Sequence, residues 1–263
     1  MISFSNAQLN AWIATFAYPL ARILAVVMTA PVFSNVALTT QIRLILGLAI
    51  SFALAPALPA MPAIAVDSWQ GLLVLVQQIL IGVVIGFTLN IVFAVVDLAG
   101  QLIGLQMGLG FASFYDPQSA AQTPVLSEFL GLLATLIFLA LNGHLLTLSA
   151  LAESFTLLPV GGGPFAAKGF VAVLTWSATL FSTGVLLALP LIAALLVANI
   201  ALGVLARIAP QLNIFAVGFP VTIVAGFTVL TLAMPYLGAA LERLYDNGFA
   251  ALSGVLRAGG ALP

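Results

Sequence analysis

Side chains able to do acid–base or nucleophilic chemistry are scarce in this chain: one histidine, seven carboxylates and no cysteine among 263 residues. The histidine, His144, lies in LIFLALNGHLLTLSAL beside Asn142 and Gly143. A hydrolytic or transfer site needs a nucleophile, a base and an orienting group that can meet. His144 by itself has two readings. It is a packing or near-interface histidine with a local hydrogen bond, as polar residues that join membrane helices often are, or it is the base of an intramembrane enzyme. No His-x-x-x-His, Glu-x-x-His or close-set acidic loop supplies metal ligands, so neither metal nor cofactor is expected. GLQMGLG offers glycines but leads into no Lys-Ser or Lys-Thr pair, so it is no phosphate cradle.

Three charged residues stand inside apolar runs: Arg22, Asp97 and Glu128. An isolated charge at the bilayer centre costs about 3 kcal/mol or more, so such groups pair or line water. They fit buried ion pairs between helices or subunits. They also fit the midplane site of a small-molecule or ion carrier, although a relay needs a longer series of titratable groups. A carrier should further show broken helices at matching places in two halves; Pro190 interrupts one run and the first half has no counterpart.

The elements that must hold these residues are apolar. Hydrophobic residues make up 63% of the chain and charged ones 5%, where soluble domains carry roughly a quarter. This is the composition of a membrane protein, and membrane lipid is an expected partner. With a net charge of -1 and no basic cluster, nucleic acid is excluded as a partner. Apolar windows near 9–31, 42–58, 70–103, 125–151, 170–207 and 213–244 predict an all-α fold of about six long helices or helix pairs, some kinked or broken. Pro- and Gly-rich connections such as PALPAMPAIAVDSW and LLPVGGGPFAAKG predict antiparallel hairpins. The start, MISFSNAQLNAWIATF, lacks a basic n-region and a cleavage site, so the first run is expected to remain in the mature protein.

Orientation is undecided by charge. Arg43 and Arg207 fall at one parity of ends, and Lys168, Arg243 and Arg257 at the other. A chain so weakly anchored by basic residues suits one held by neighbouring subunits rather than by headgroups. Asn90, Asn142 and Asn199 supply amides for hydrogen bonds across helices, and Gly82 with Gly86 permits close helix approach.

One stretch fits neither a span nor a solvated loop: GLQMGLGFASFYDPQSAAQTP at 104–124. Met107, Phe111, Phe114 and Tyr115 alternate with glycines and small residues, giving deformable backbone with soft, bulky obstruction. That composition suits a reversible plug and equally a re-entrant or interfacial loop. In LARIAPQLNIFAVGFPV, Arg207 falls at a helix end and Pro210 forbids continuation, so Pro210, Gln211 and Asn213 form a hairpin tip.

Four ordered pieces resemble the FliR/SctT family of type III secretion export-gate subunits. They are YPLARILAVVMTAPVFSNVALTTQIRLILGLAISFALAPALP, GLQMGLGFASFYDPQSAAQTPVLSEFL, FLALNGHLLTLSALAESFTLLPVG and LLALPLIAALLVANIALGVLARIAPQLNIFAVGFP. The resemblance implies a non-enzymatic subunit that assembles with FliP and FliQ into a helical, closed channel for unfolded export substrates, with FlhB and FlhA as further partners. It implies a place in the bacterial inner membrane at the flagellar basal body, with the core complex raised above the bilayer plane. A virulence injectisome would use an equivalent subunit. It also implies a FliP-like portion over 1–170 and a FliQ-like hairpin and tail over 171–263. The family's plug falls on 106–123, so Gln106, Met107, Phe111, Phe114, Tyr115 and Asp116 are expected to help close the lumen.

Overall fold

The computed structural model describes residues 6–59, 61–62, 64–111, 124–211 and 214–260. Among them are seven α-helices and no strand: α1 (Asn6–Thr29), α2 (Thr40–Leu54), α3 (Trp69–Gln106), α4 (Val125–Ala140), α5 (Gly143–Leu157), α6 (Ala167–Ile208) and α7 (Ile214–Gly260). Short 3-10 turns follow α2 and α3 at Ala55–Ala57 and Leu109–Phe111. Four helical stretches are long and apolar enough to cross a membrane: Thr40–Ala57, Trp69–Gln106, Ala167–Ile208 and Val217–Gly260. The pair α4 and α5 makes a fifth if counted together.

Two boundaries differ from the sequence expectation. The run at 125–151 is two helices bent by 67°, because Asn142 takes left-handed backbone (φ 57°, ψ 28°) between them. Asparagine tolerates that region better than other side chains except glycine, and the following Gly143 opens the next helix. The final helix runs to Gly260 rather than stopping near 244. Its charged stretch Glu242, Arg243 and Asp246 is exposed, while Leu241, Leu244, Leu252 and Val255 are buried at helical spacing.

The chain divides into two compact, discontinuous units. One comprises Met1–Ile91, Asn142–Ser177 and Asp246–Pro263, the other Val92–Leu141 and Ala178–Tyr245. This division by compactness differs from the division at residue 170 that the family resemblance implies.

In the first unit the core gathers Tyr18, Ile23 and Val26 of α1, Ile81 and Ile85 of α3, Leu151 and Phe155 of α5, and Leu252 and Val255 of α7. The crossing of α1 and α3 depends on Gly82 and Gly86. A Cβ on Gly82 would collide with the Arg22 carbonyl and Ala25, and one on Gly86 with Thr29 and Ala30. Small residues here let two backbones approach, as interhelical packing in lipid favours. Trp176 of α6 donates its indole N–H to the Thr88 carbonyl at 3.0 Å.

In the second unit Phe93, Phe138 and Tyr245 form a ring cluster with centroid separations of 5.5, 5.8 and 5.4 Å. The Tyr245 hydroxyl donates to the Ala134 carbonyl at 2.6 Å, giving a buried polar tip its partner. Along α6 the buried positions Gly184, Ala188, Leu191 and Leu195 recur every three or four residues, leaving the other faces open.

Candidate functional site

The segment that stands out in sequence begins where α3 ends. Met107 continues the helical hydrogen bonding, its N–H donating to the Ile103 carbonyl at 2.9 Å. Gly108 then turns into left-handed backbone at φ 82°, and its N–H reaches the Leu105 carbonyl at 3.0 Å. A glycine in this conformation just past the last turn is a common way for a helix to stop, because a side chain there would be strained. The chain then makes a 3-10 turn over Leu109–Phe111.

Among the described residues of this segment, Met107 is the best held. It is fully buried and sits on α7 within the second unit. Its carbonyl accepts a 3.2 Å hydrogen bond from the Thr222 hydroxyl, and its side chain fills the space a Cβ on Gly226 would occupy, about 2.6 Å from Met107 Cγ and Cε. Gln106 is half-buried, and Phe111 lies in the 3-10 turn. Phe114, Tyr115 and Asp116 lie outside the described residues. Thr222 and Gly226 were not singled out from sequence. The cue available was their spacing with Gly218, every four residues along one face of α7, since all three are buried.

The three isolated charges have different surroundings. Arg22 is fully buried in the first unit and meets neutral oxygens: Nε donates to Gln78 Oε1 at 2.8 Å, Nη1 to the Ser154 carbonyl at 2.8 Å and Oγ at 3.0 Å, and Nη2 to the Leu158 carbonyl at 2.7 Å. The Phe155 ring lies 4.1 Å from its Cζ, a cation–π contact. Ser154 lies in the last turn of α5 and Leu158 is its C-cap, so Arg22 adds a second donor to the Ser154 carbonyl, which already accepts the Leu158 N–H, and gives the Leu158 carbonyl a donor, its cation facing the negative end of the dipole. Asp97 and Glu128 are exposed in the second unit. Asp97 Oδ2 accepts from Gln101 Nε2 at 3.0 Å, and the Asp97 carbonyl accepts from the Ser127 hydroxyl at 2.9 Å, tying α3 to α4.

His144 is half-buried in the first turn of α5, and its Nδ1 is shielded from solvent without a partner. Asn142 acts through its backbone, its carbonyl accepting from Leu145 and Leu146 at 2.9 and 3.1 Å. Asn90 is exposed. Among the described residues no three His, Cys, Asp or Glu side chains gather as a metal site would need. A recess of about 240 Å³ in the first unit, walled by Gln77, Leu157–Pro159, Gly162–Pro164, Ala166 and Gly259–Gly260, has no charged side chain in its lining.

At the turn between α6 and α7, Arg207, Pro210 and Gln211 are exposed, and Ala209 closes the end of α6 by donating to the Leu205 carbonyl at 2.9 Å. Asn213 lies outside the described residues.

Comparison with known proteins places this geometry in a lineage. Residues 13–248 match the profile of the bacterial export proteins, family 1. The chain is similar to the flagellar biosynthetic protein FliR of Escherichia coli strain K12, 42% identical over 256 residues that cover 97% of this chain and 98% of that protein. Similarity to FliR of Pectobacterium carotovorum is 41% over the same shares, and to FliR of Aquifex aeolicus 32%, covering 87% of this chain and 88% of the relative. The chain belongs to the bacterial export proteins, family 1.

Proposed function

We propose that this chain is a subunit of the flagellar type III protein export gate. In this reading it assembles with FliP and FliQ homologues in the bacterial inner membrane around a closed passage for unfolded proteins, and segment 106–123 is the closure. The flagellar system is favoured over an injectisome because the relatives at 32 to 42% identity carry a flagellar name. FlhB and FlhA would dock on the completed assembly.

The observation that carries the reading is the mismatch between apolar exposure and bilayer width. The 42 residues of α6 extend about 63 Å at 1.5 Å per residue, roughly twice the hydrocarbon thickness. Large apolar side chains stay exposed from Phe170 at one end to Ile208 at the other, Phe181, Leu189, Val197 and Val204 among them. Lipid around an untilted helix covers about half of such a length, and sister subunits offer the apolar cover the remainder requires. The FliP-like and FliQ-like portions, 1–170 and 171–263, then complete a pseudo-symmetric ring. Its polar hairpin tip is at Arg207, Pro210, Gln211 and Asn213.

Deleting 110–114 tests the closure. Complexes assembled with the shortened segment are expected to leak ions above the wild-type level in membrane vesicles. Conductance equal to wild type at equal complex yield removes the plug role.

A further inference from the structure

We propose that Thr222 and Gly226 of α7 are a latch that holds Met107, and with it the first residues of the closure, in the sealed position. This rests on the reading of 106–123 as a closure, and it adds what holds the closure and which helix must move to release it.

Two independent contacts join the same pair of elements. The Thr222 hydroxyl, on a buried side chain, divides its single proton between the Met107 carbonyl at 3.2 Å and the Phe219 carbonyl of its own helix at 3.0 Å. One turn further along α7, Gly226 presents bare backbone where the Met107 thioether lies. The shared hydrogen bond tethers the backbone of Met107, and the glycine seat receives its side chain. Methionine suits a seat that must open, since its unbranched, polarisable chain packs without demanding one shape.

The latch sits on a stretch of helix with a weakened connection at each end. Pro220 and Pro235 both lie inside α7, and each deprives the carbonyl four residues earlier of its helical donor. Bending of a helix concentrates at such places. The turns between them, which carry Thr222 and Gly226, can therefore shift as a short rigid piece. Moving that piece withdraws both contacts from Met107 together. Gly108, the next residue, already occupies left-handed backbone, so the chain can swing there without disturbing α3.

The test uses the assembled complex in sealed vesicles, with ion leakage and complex yield measured together. Gly226→Val fills the seat and is expected to raise leakage several-fold at near wild-type yield. Adding Met107→Ala in the same chain makes room for the valine and is expected to bring leakage back down. Thr222→Val keeps the shape and removes one hydrogen bond, worth about fivefold in an opening equilibrium; this variant decides the matter if Gly226→Val complexes fail to assemble. Thr222→Val complexes that seal as wild type does overturn the latch, as does leakage in Gly226→Val that Met107→Ala leaves unchanged.

A second readout is independent of any pore. The chain has no cysteine, so Met107→Cys gives a single thiol, and Thr222→Val is expected to speed its labelling by a maleimide about fivefold, the same hydrogen-bond factor. Equal labelling rates contradict the latch. If the 110–114 deletion leaves the membrane sealed while labelling does accelerate, the closure reading fails and the Met107–α7 contact stands. If the deletion leaks and both Thr222→Val readouts match wild type, only the latch fails.

Discussion

Arg22 shows what one residue can disclose and conceal. An arginine inside an apolar run announces from sequence that it must find partners, and the structure buries it completely. Which partners it finds was not legible, because three of its four acceptors lie 132 or 136 residues away and two are backbone carbonyls that any residue type could supply. Beside the ion pair or subunit contact expected for Arg22, a helix end offers negative charge without a carboxylate. Replacing Arg22 with Leu would take their donor from the Leu158 carbonyl and Gln78 Oε1 together, while the Ser154 carbonyl keeps the Leu158 N–H. It is expected to lower stability by about 3 kcal/mol, the range for leaving buried polar groups unpaired. Arg22→Lys keeps the charge but loses the planar fork that reaches three groups at once, and is expected to fall between Leu and wild type. Thermal unfolding of the purified complex checks the order; a Leu variant melting with wild type contradicts the role.

Elements were legible where an uninterrupted apolar run was long, as in α3 and α6, and least legible where such runs continued past a break. The stretch at 125–151 is apolar on both sides of the bend, so a window average joins α4 and α5; the Asn-Gly pair at 142–143 was the local sign of a turn. At the far end the reverse happened, and charged Glu242, Arg243 and Asp246 concealed the continuation of α7 because they occupy one exposed face. The segment after α3 was legible as unusual but not in its attachments, since a glycine seat and a threonine hydroxyl on a helix more than 110 residues away leave no periodic mark. The bend itself yields an expectation. Asn142→Val forces a β-branched residue into left-handed backbone and is expected to cost about 1 to 2 kcal/mol, whereas Asn142→Gly is expected to be tolerated. Protease resistance of the complex during a heating series distinguishes the two; equal resistance would mean that the bend is held from elsewhere.

At the scale of the whole molecule, the chain is a set of long helices that leave much of their apolar surface unburied. Candidate spans Ala167–Ile208 and Val217–Gly260 bury 17% and 22% of their apolar windows, against 61% for Trp69–Gln106. Of these three spans α3 is the one packed like the interior of a finished protein, so α6 and α7 await cover. Asp97 is an exposed carboxylate on that most deeply packed helix. Asp97→Ala is accordingly expected to reduce the yield of assembled complex more than export per assembled complex. Normal yield with lost export would move Asp97 to the transport path. The most direct test of the whole account is the composition of what is purified when this chain is tagged and extracted gently from bacterial membranes. Several other small, highly apolar helical subunits are expected to copurify in fixed proportion. A chain recovered alone, stable in lipid vesicles and moving a small solute unaided, would contradict it.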